Sequence, residues 1–390
     1  MDKTLKEFFT HEDYQSRMDK YADLRGANNS WLLFVACDAG TELAESVKRE
    51  YESLLRLKYK QKRKKKRVIP VPLFKNITNK FERDGKDGTC PRLPHNVSGA
   101  DAFVFQNCMD LRENSLSVND NLVQLGQMIC TLRDYKAERI TAIVPYYPYS
   151  RQDKPSFMQR EYAHAKFVAD IFTVAGVNDV LSYHPHATSI KALFPTGKQF
   201  SFVSGNDLFI DVFSQFRGRE DVVAVSTDSG GSKETRFIAN SLDISYCPGL
   251  KERPEQKKTH SLGVQGNLNG KKVAILTDDE TATFSSFLNQ IDFLHHAGIR
   301  EFYGGVSHMR VAAEWKGTRY IDKVIEAHER YNLKMLHITD SVPPSEEFLM
   351  LPFIQYHSLA NMWARVINRM HYDQSVRKIF ASYDPRQKRR

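Results

Sequence analysis

Short apolar runs alternate with stretches of helical spacing along most of this chain, and no other feature limits its fold as strongly. Trp31–Ala36, Ile140–Val144, Val180–Tyr183, Val222–Ser226, Lys272–Leu276 and Phe302–Val306 read as buried strands. Glu42–Leu57, Asn119–Asp134, Arg160–Ala175, Lys233–Leu242, Ser285–Ala297 and a final Ser358–Met370 read as helices. Strands and helices in this order predict a mostly parallel, doubly wound sheet. The alternation restarts near 190 to 205, so two similar α/β domains in tandem are expected. A length of 390 residues accommodates two domains of ordinary size.

In such sheets ligands sit beyond the carboxyl ends of the strands, so the residues there are the candidates for binding. After the Ile140 strand, Pro145 and Pro148 stop the extended run, and Tyr146-Tyr147-Pro148-Tyr149-Ser150-Arg151-Gln152-Asp153-Lys154 follows. Arg151 can grip a phosphate bidentately, and Lys154 adds a point charge. After the Lys272 strand come Asp278 and Asp279, then a hydroxyl-rich loop with Thr283, Ser285 and Ser286 at a helix start. Free backbone N–H groups at a helix start bind phosphate, and the paired carboxylates suit sugar hydroxyls or Mg²⁺. Asp228-Ser229-Gly230-Gly231 is a glycine-bearing strand-to-helix turn. Tyr183-His184-Pro185-His186 ends another strand, and residues two apart on a strand share a face, so the two histidines are expected side by side.

Charge and cysteine content exclude several classes. The net charge of +9 is concentrated in Lys58–Arg67, whose eight basic residues leave +1 for the rest. This run is expected to be a solvated insertion, and a nucleic-acid contact would rest on it alone. The five cysteines are scattered without a C-x-x-C pair, which speaks against a disulfide framework or zinc site and fits a reducing cytoplasm. No apolar run reaches the ~18 residues of a membrane span. The N-terminal residues lack the apolar core of a signal peptide.

The motifs occur in an order that resembles the ribose-phosphate diphosphokinases, the PRPP synthetases. Residues 146–154 resemble the signature P-Y-F-x-Y-A-R-Q-D-[KR]. Residues 278–286 resemble the phosphoribosyl loop D-D-x-x-x-T-G-G-T, with Phe284 and Ser285 in place of its glycines. Asp228 falls in a version of S-P-D-x-G-G, and Lys251-Glu252-Arg253 matches the K-x-R of the catalytic loop. His186 takes the histidine position of D-L-H-A, and His184 stands where that motif has Asp. Phe81 and Asp84 lie in a segment similar to the adenine-stacking F-x-D-G-E. Asn119-Asp120-Asn121-Leu122 matches an N-D-N-L helix start, and Thr339-Asp340-Ser341-Val342-Pro343 resembles a D-T-I-P turn.

The resemblance implies two tandem type I phosphoribosyltransferase-like domains, each a mostly parallel sheet flanked by helices. The expected division is an extension at 1–30, an N-terminal domain at 31–190 with the basic insertion 58–67, a C-terminal domain at 191–345 and a closing segment at 346–390. It implies a cytoplasmic, homo-oligomeric transferase of nucleotide biosynthesis, a kinase that moves the diphosphoryl group of ATP to ribose 5-phosphate with Mg²⁺. Arg151, Gln152, Asp153, His186, Phe81 and Asp84 would hold ATP, with His186 also touching its metal. Lys251 and Arg253 would stabilise the transition state. Asp228, Asp278, Asp279, Thr283, Ser285 and Ser286 would hold the ribose phosphate. Phe284 is expected to reshape the seat of the 5-phosphate. That leaves ribose 5-phosphate and a 5-substituted ribose such as ADP-ribose both open as acceptors. A non-catalytic regulatory subunit is the third reading, against which the retained Lys251, Arg253 and acidic pair speak.

Overall fold

The computed structural model describes residues 8–13, 30–62, 68, 70–80, 89–156, 158–227, 231–252, 260–376 and 379. Among them, one unit comprises the residues up to Met109, Leu116–Val203 and those from Leu359 onward; the other comprises Asp110–Ser115 and Ser204–Ser358.

In the first unit β1 (Trp31–Ala36), β2 (Leu73–Phe74), β3 (Ala100–Phe105), β4 (Arg139–Ile143), β5 (Asp179–Tyr183) and β6 (Gln199–Val203) form one sheet in the order β2-β1-β3-β4-β5-β6. Every pairing in it is parallel. All six residues of β3 are buried, as expected of a parallel strand covered on both faces. Helices α1 (Thr41–Gln61), α2 (Val118–Asp134) and α3 (His164–Ala175) connect the strands. α2 and α3 cover one face, burying Leu125, Met128, Val168 and Phe172. α1 and the C-terminal helix Ala360–His371 cover the other, around Trp363. A capping box between Ser117 and Asp120 starts α2, satisfying donors that a helix start leaves open.

Three expectations change here. β6 pairs with β5 from Asp179↔Gln199 to Tyr183↔Val203, so residues up to 203 belong to the first sheet and the boundary at 190/191 falls too early. The helix Ala360–His371 packs on α1, so 346–390 is not one closing segment. The basic run is also not a single insertion. Lys58–Gln61 complete α1 with Tyr59 buried, Lys62 ion-pairs with Asp13, and Arg63–Arg67 lie outside the described residues.

The second unit repeats the architecture. β7 (Val222–Ser226), β8 (Ser245–Cys247), β11 (Val273–Thr281), β12 (Glu301–Met309), β13 (Leu333–Thr339) and β14 (Ile354–His357) form a parallel sheet ordered β8-β7-β11-β12-β13-β14. Between β8 and β11 runs an antiparallel hairpin of β9 (Gly249–Glu252) and β10 (His260–Val264). α4 (Asn206–Val212) and α5 (Ser232–Leu242) cover one face; α6 (Ser285–His296) and α7 (Ile321–Glu329) cover the other. β11 and β12 are longer than their apolar runs indicated, nine residues each, and carry polar residues at their carboxyl ends.

Candidate functional site

In the first unit the candidate residues collect at the carboxyl ends of the adjacent strands β4 and β5. The Pro145 carbonyl beyond β4 accepts the Tyr183 N–H at 2.9 Å and the Ser182 hydroxyl at 3.2 Å, which keeps the two strand ends together. Tyr147 is fully buried, donates its hydroxyl to the Ala165 carbonyl at 3.0 Å and meets Phe200 edge-on. Tyr149 takes a left-handed φ of 58° and donates to Asn119 Oδ1 at 2.6 Å. These two tyrosines anchor the loop on α2 and α3, and Arg151 and Gln152 stand exposed beyond them. The Gln152 carbonyl accepts the Ala165 N–H at 3.1 Å, so the loop runs on to His164 and α3 starts later than Arg160. Asp153 accepts the Ser189 hydroxyl at 2.7 Å, joining this loop to the one that carries His186.

Arg151, Gln152, Asp153 and His186 are therefore brought to one sheet edge. The histidines are not side by side. β5 ends at Tyr183, and a φ of 39° at His184 breaks the strand alternation. His184 is buried and His186 is exposed. Phe81 and Asp84 lie outside the described residues.

In the second unit the candidates gather where β7 and β11 end. Thr227 donates its hydroxyl to Asp278 Oδ2 at 2.5 Å. Asp228, next along the chain, lies outside the described residues. Asp278 and Asp279 belong to β11 itself rather than to a turn after it, and both are half-buried. Glu280 ion-pairs with Arg310 at 3.1 Å, and the Arg310 N–H donates to the Thr281 carbonyl at 2.9 Å. This brace beneath the loop had no signal in the sequence, because its members are 30 residues apart.

Phe284 reverses an expectation. It caps α6 in a left-handed conformation, φ 57° and ψ 4°, which glycine adopts without strain. Its ring is fully buried and stacks on Phe287, centroids 4.8 Å apart and planes 20° from parallel. The ring therefore packs into the core cluster of Ile291 and Phe302 instead of occupying the loop's polar side. On that side Ser285 Oγ accepts from the Thr283 hydroxyl at 3.1 Å and from Lys323 Nζ at 2.6 Å. Ser285 and Ser286 open the first turn of α6.

The β9–β10 hairpin leaves the same sheet edge. The Gly249 N–H donates to Ser226 Oγ at 3.1 Å. A Cβ on Gly249 would lie 2.2 Å from the Ser226 carbonyl oxygen, so only glycine allows this approach. Lys251 lies on β9 opposite Ser261, and Arg253 lies outside the described residues. Farther along the sheet, His337 on β13 and His357 on β14 meet at 2.9 Å, with Phe213 edge-on to His337. Burial and the neighbouring imidazole hold His337 down to about 4, and burial lowers His357.

Two parallel six-stranded sheets, one edged by a loop with Arg151 and Gln152 exposed and one by a strand–hydroxyl loop–helix start, define an α/β protein of two similar units. A profile of the N-terminal domain of ribose phosphate pyrophosphokinase matches residues 32–176. Ribose-phosphate pyrophosphokinase of Hyphomonas neptunium is 31% identical over 292 residues, covering 74% of this chain and 87% of that protein. The Fusobacterium nucleatum enzyme of the same name is 32% identical over 290 residues, covering 74% and 85%. The crystal structure of phosphoribosylpyrophosphate synthetase from Mycobacterium smegmatis superposes with a TM-score of 0.71 at 25% identity, over 88% of this chain and all of that one. This chain belongs to the ribose-phosphate pyrophosphokinase family, and it is a transferase.

Proposed function

We propose that this chain transfers the β,γ-diphosphoryl group of ATP to the anomeric hydroxyl of ribose 5-phosphate, giving phosphoribosyl pyrophosphate and AMP. The anomeric oxygen bonds to the β-phosphorus, the bridging α–β bond breaks, AMP leaves with the electron pair, and the hydroxyl proton passes to water. Arg151, Gln152, Asp153 and His186 hold ATP, with Phe81 and Asp84 at the adenine. Asp228, Asp278 and Asp279 hold the ribose hydroxyls; Thr283, Ser285 and Ser286 hold the 5-phosphate. Lys251 and Arg253 stabilise charge that spreads over the moving phosphoryl oxygens, a task of position and charge more than of proton transfer.

The residues suit Mg²⁺ bound largely through substrate. Among the described residues no three His, Cys, Asp or Glu side chains form a metal cage. Mg²⁺ takes oxygen ligands, keeps several waters and needs only one or two carboxylates beside substrate phosphates, which Asp278 and Asp279 can supply. His186, a nitrogen ligand, serves the ATP phosphates better than the ion. Bound Mg²⁺ neutralises the phosphate charge and polarises the transferring group. Among the described residues no helix is long and apolar enough to cross a membrane. A cytoplasmic homo-oligomer in nucleotide biosynthesis completes the reading.

The placement of the Phe284 ring carries the choice of acceptor. With the ring in the core, the polar side of the loop is left to a terminal phosphate, and Phe284 itself offers no aromatic face to a larger 5-substituent. The test is incubation with ATP, Mg²⁺ and either ribose 5-phosphate or ADP-ribose, followed by identification of products. Phosphoribosyl pyrophosphate and AMP are expected with ribose 5-phosphate. Absence of AMP, or faster turnover with ADP-ribose, would refute the proposal.

A further inference from the structure

Lys323 has no part in any motif read from the sequence, yet it touches the acceptor loop. It lies in the first turn of α7 and donates to Ser285 Oγ at 2.6 Å from a half-buried position. The Tyr320 ring lies 5.3 Å from its ammonium and steadies the flexible stem. Ser285 Oγ also accepts from Thr283, so two donors converge on one hydroxyl at the start of α6.

The charge balance gives this contact meaning. A phosphate approaching the loop meets two carboxylates, Asp278 and Asp279, at the end of the same strand. Like charges within a Debye length of about 8 Å repel it. Arg310 is held by Glu280 at 3.1 Å, so its charge is already matched. Lys323 puts a positive charge directly on the hydroxyl side of the loop, and a hydroxyl is a weak partner for an ammonium. A dianionic phosphate is a far better one.

We propose that Lys323 binds the terminal phosphate of the sugar phosphate acceptor, with Ser285 and Thr283 as its hydroxyl partners. This rests on the reading that residues 278–286 hold that acceptor. Hydrogen bonds to charged groups contribute about 1.5–3 kcal/mol, which converts to roughly 10- to 150-fold in affinity.

The test is calorimetric binding of ribose 5-phosphate to wild type, Lys323→Met and Lys323→Arg, with steady-state kinetics beside it. Lys323→Met should weaken ribose 5-phosphate at least about tenfold, and KM should rise more than kcat falls. ATP affinity should stay within about threefold, and Lys323→Arg should recover most of the loss. Wild-type binding should weaken with added salt, and that slope should flatten in Lys323→Met. Unchanged ribose 5-phosphate affinity in Lys323→Met overturns the proposal, as does an equal loss for ATP. Because binding is read without turnover, a wild type that binds ribose 5-phosphate through Lys323 but makes no product refutes the reaction and leaves this contact standing.

Discussion

Replacing Phe284 by glycine tests the core placement of its ring directly. The ring is fully buried and stacked on Phe287, so its removal leaves a cavity between α6 and the sheet. Emptying a buried phenylalanine site costs about 3–5 kcal/mol. Glycine relieves about 1–2 kcal/mol of left-handed strain at φ 57° but costs about 0.5–1 kcal/mol in extra unfolded-state freedom. The net loss is about 1.5–5 kcal/mol, and at about 2–4 °C per kcal/mol the second unit should melt roughly 3–20 °C lower. A double change with Phe287→Ala should fall short of additivity by about 0.5–1.5 kcal/mol, because the two rings share one contact. Differential scanning calorimetry supplies the melting temperatures, and kinetics on ribose 5-phosphate and ADP-ribose below the transition supplies the specificity. The preference between the two acceptors should not move. An unchanged melting temperature, or a selective loss of ADP-ribose use, would place the ring in the substrate's path and refute the reasoning.

Four further outcomes are expected. Lys251→Ala and Arg253→Ala should each lower kcat by about 10²–10³ with little change in ATP affinity, as loss of a transition-state contact does; near-normal turnover in either variant removes it from the mechanism. Gly249→Ala should displace the β9–β10 hairpin, since its Cβ would sit 2.2 Å from the Ser226 carbonyl oxygen, and kcat should drop while circular dichroism stays native. Deleting Arg63–Arg67 should preserve turnover and abolish any salt-sensitive binding to RNA or DNA, so an inactive but folded deletion contradicts a peripheral role. The His337–His357 pair sets a pH dependence. His337 is held near 4 in the fold against about 6.5 unfolded, so below pH ~6.5 the unfolded chain binds a proton the native one refuses. Stability should decline as pH falls from about 7 towards 4, and His337→Asn should flatten that decline in a pH series of thermal melts.

The repeating architecture was legible because it rests on local periodicity. Five- and six-residue apolar runs such as Val222–Ser226 suit strands buried on both faces, and their alternation with helical stretches that cover those faces points to a parallel sheet. The candidate loops were legible for the same reason, since proline, glycine and clustered polar residues mark where strands end. Other features depended on partners distant in the chain. Whether residues 199–203 close the first sheet was decided by pairing with β5, and whether 58–61 are helix by how Tyr59 packs. The alternation that made His184 and His186 look like neighbours failed at one left-handed residue. Lys323 reaches Ser285 across 38 positions, and no spacing rule covers that distance. Phe284 is the clearest division. Its sequence shows only that a ring replaces a glycine. Its backbone keeps the conformation suited to glycine, and its side chain goes to the core because Phe287 and Ile291 of α6 offer it apolar surface there that water would not.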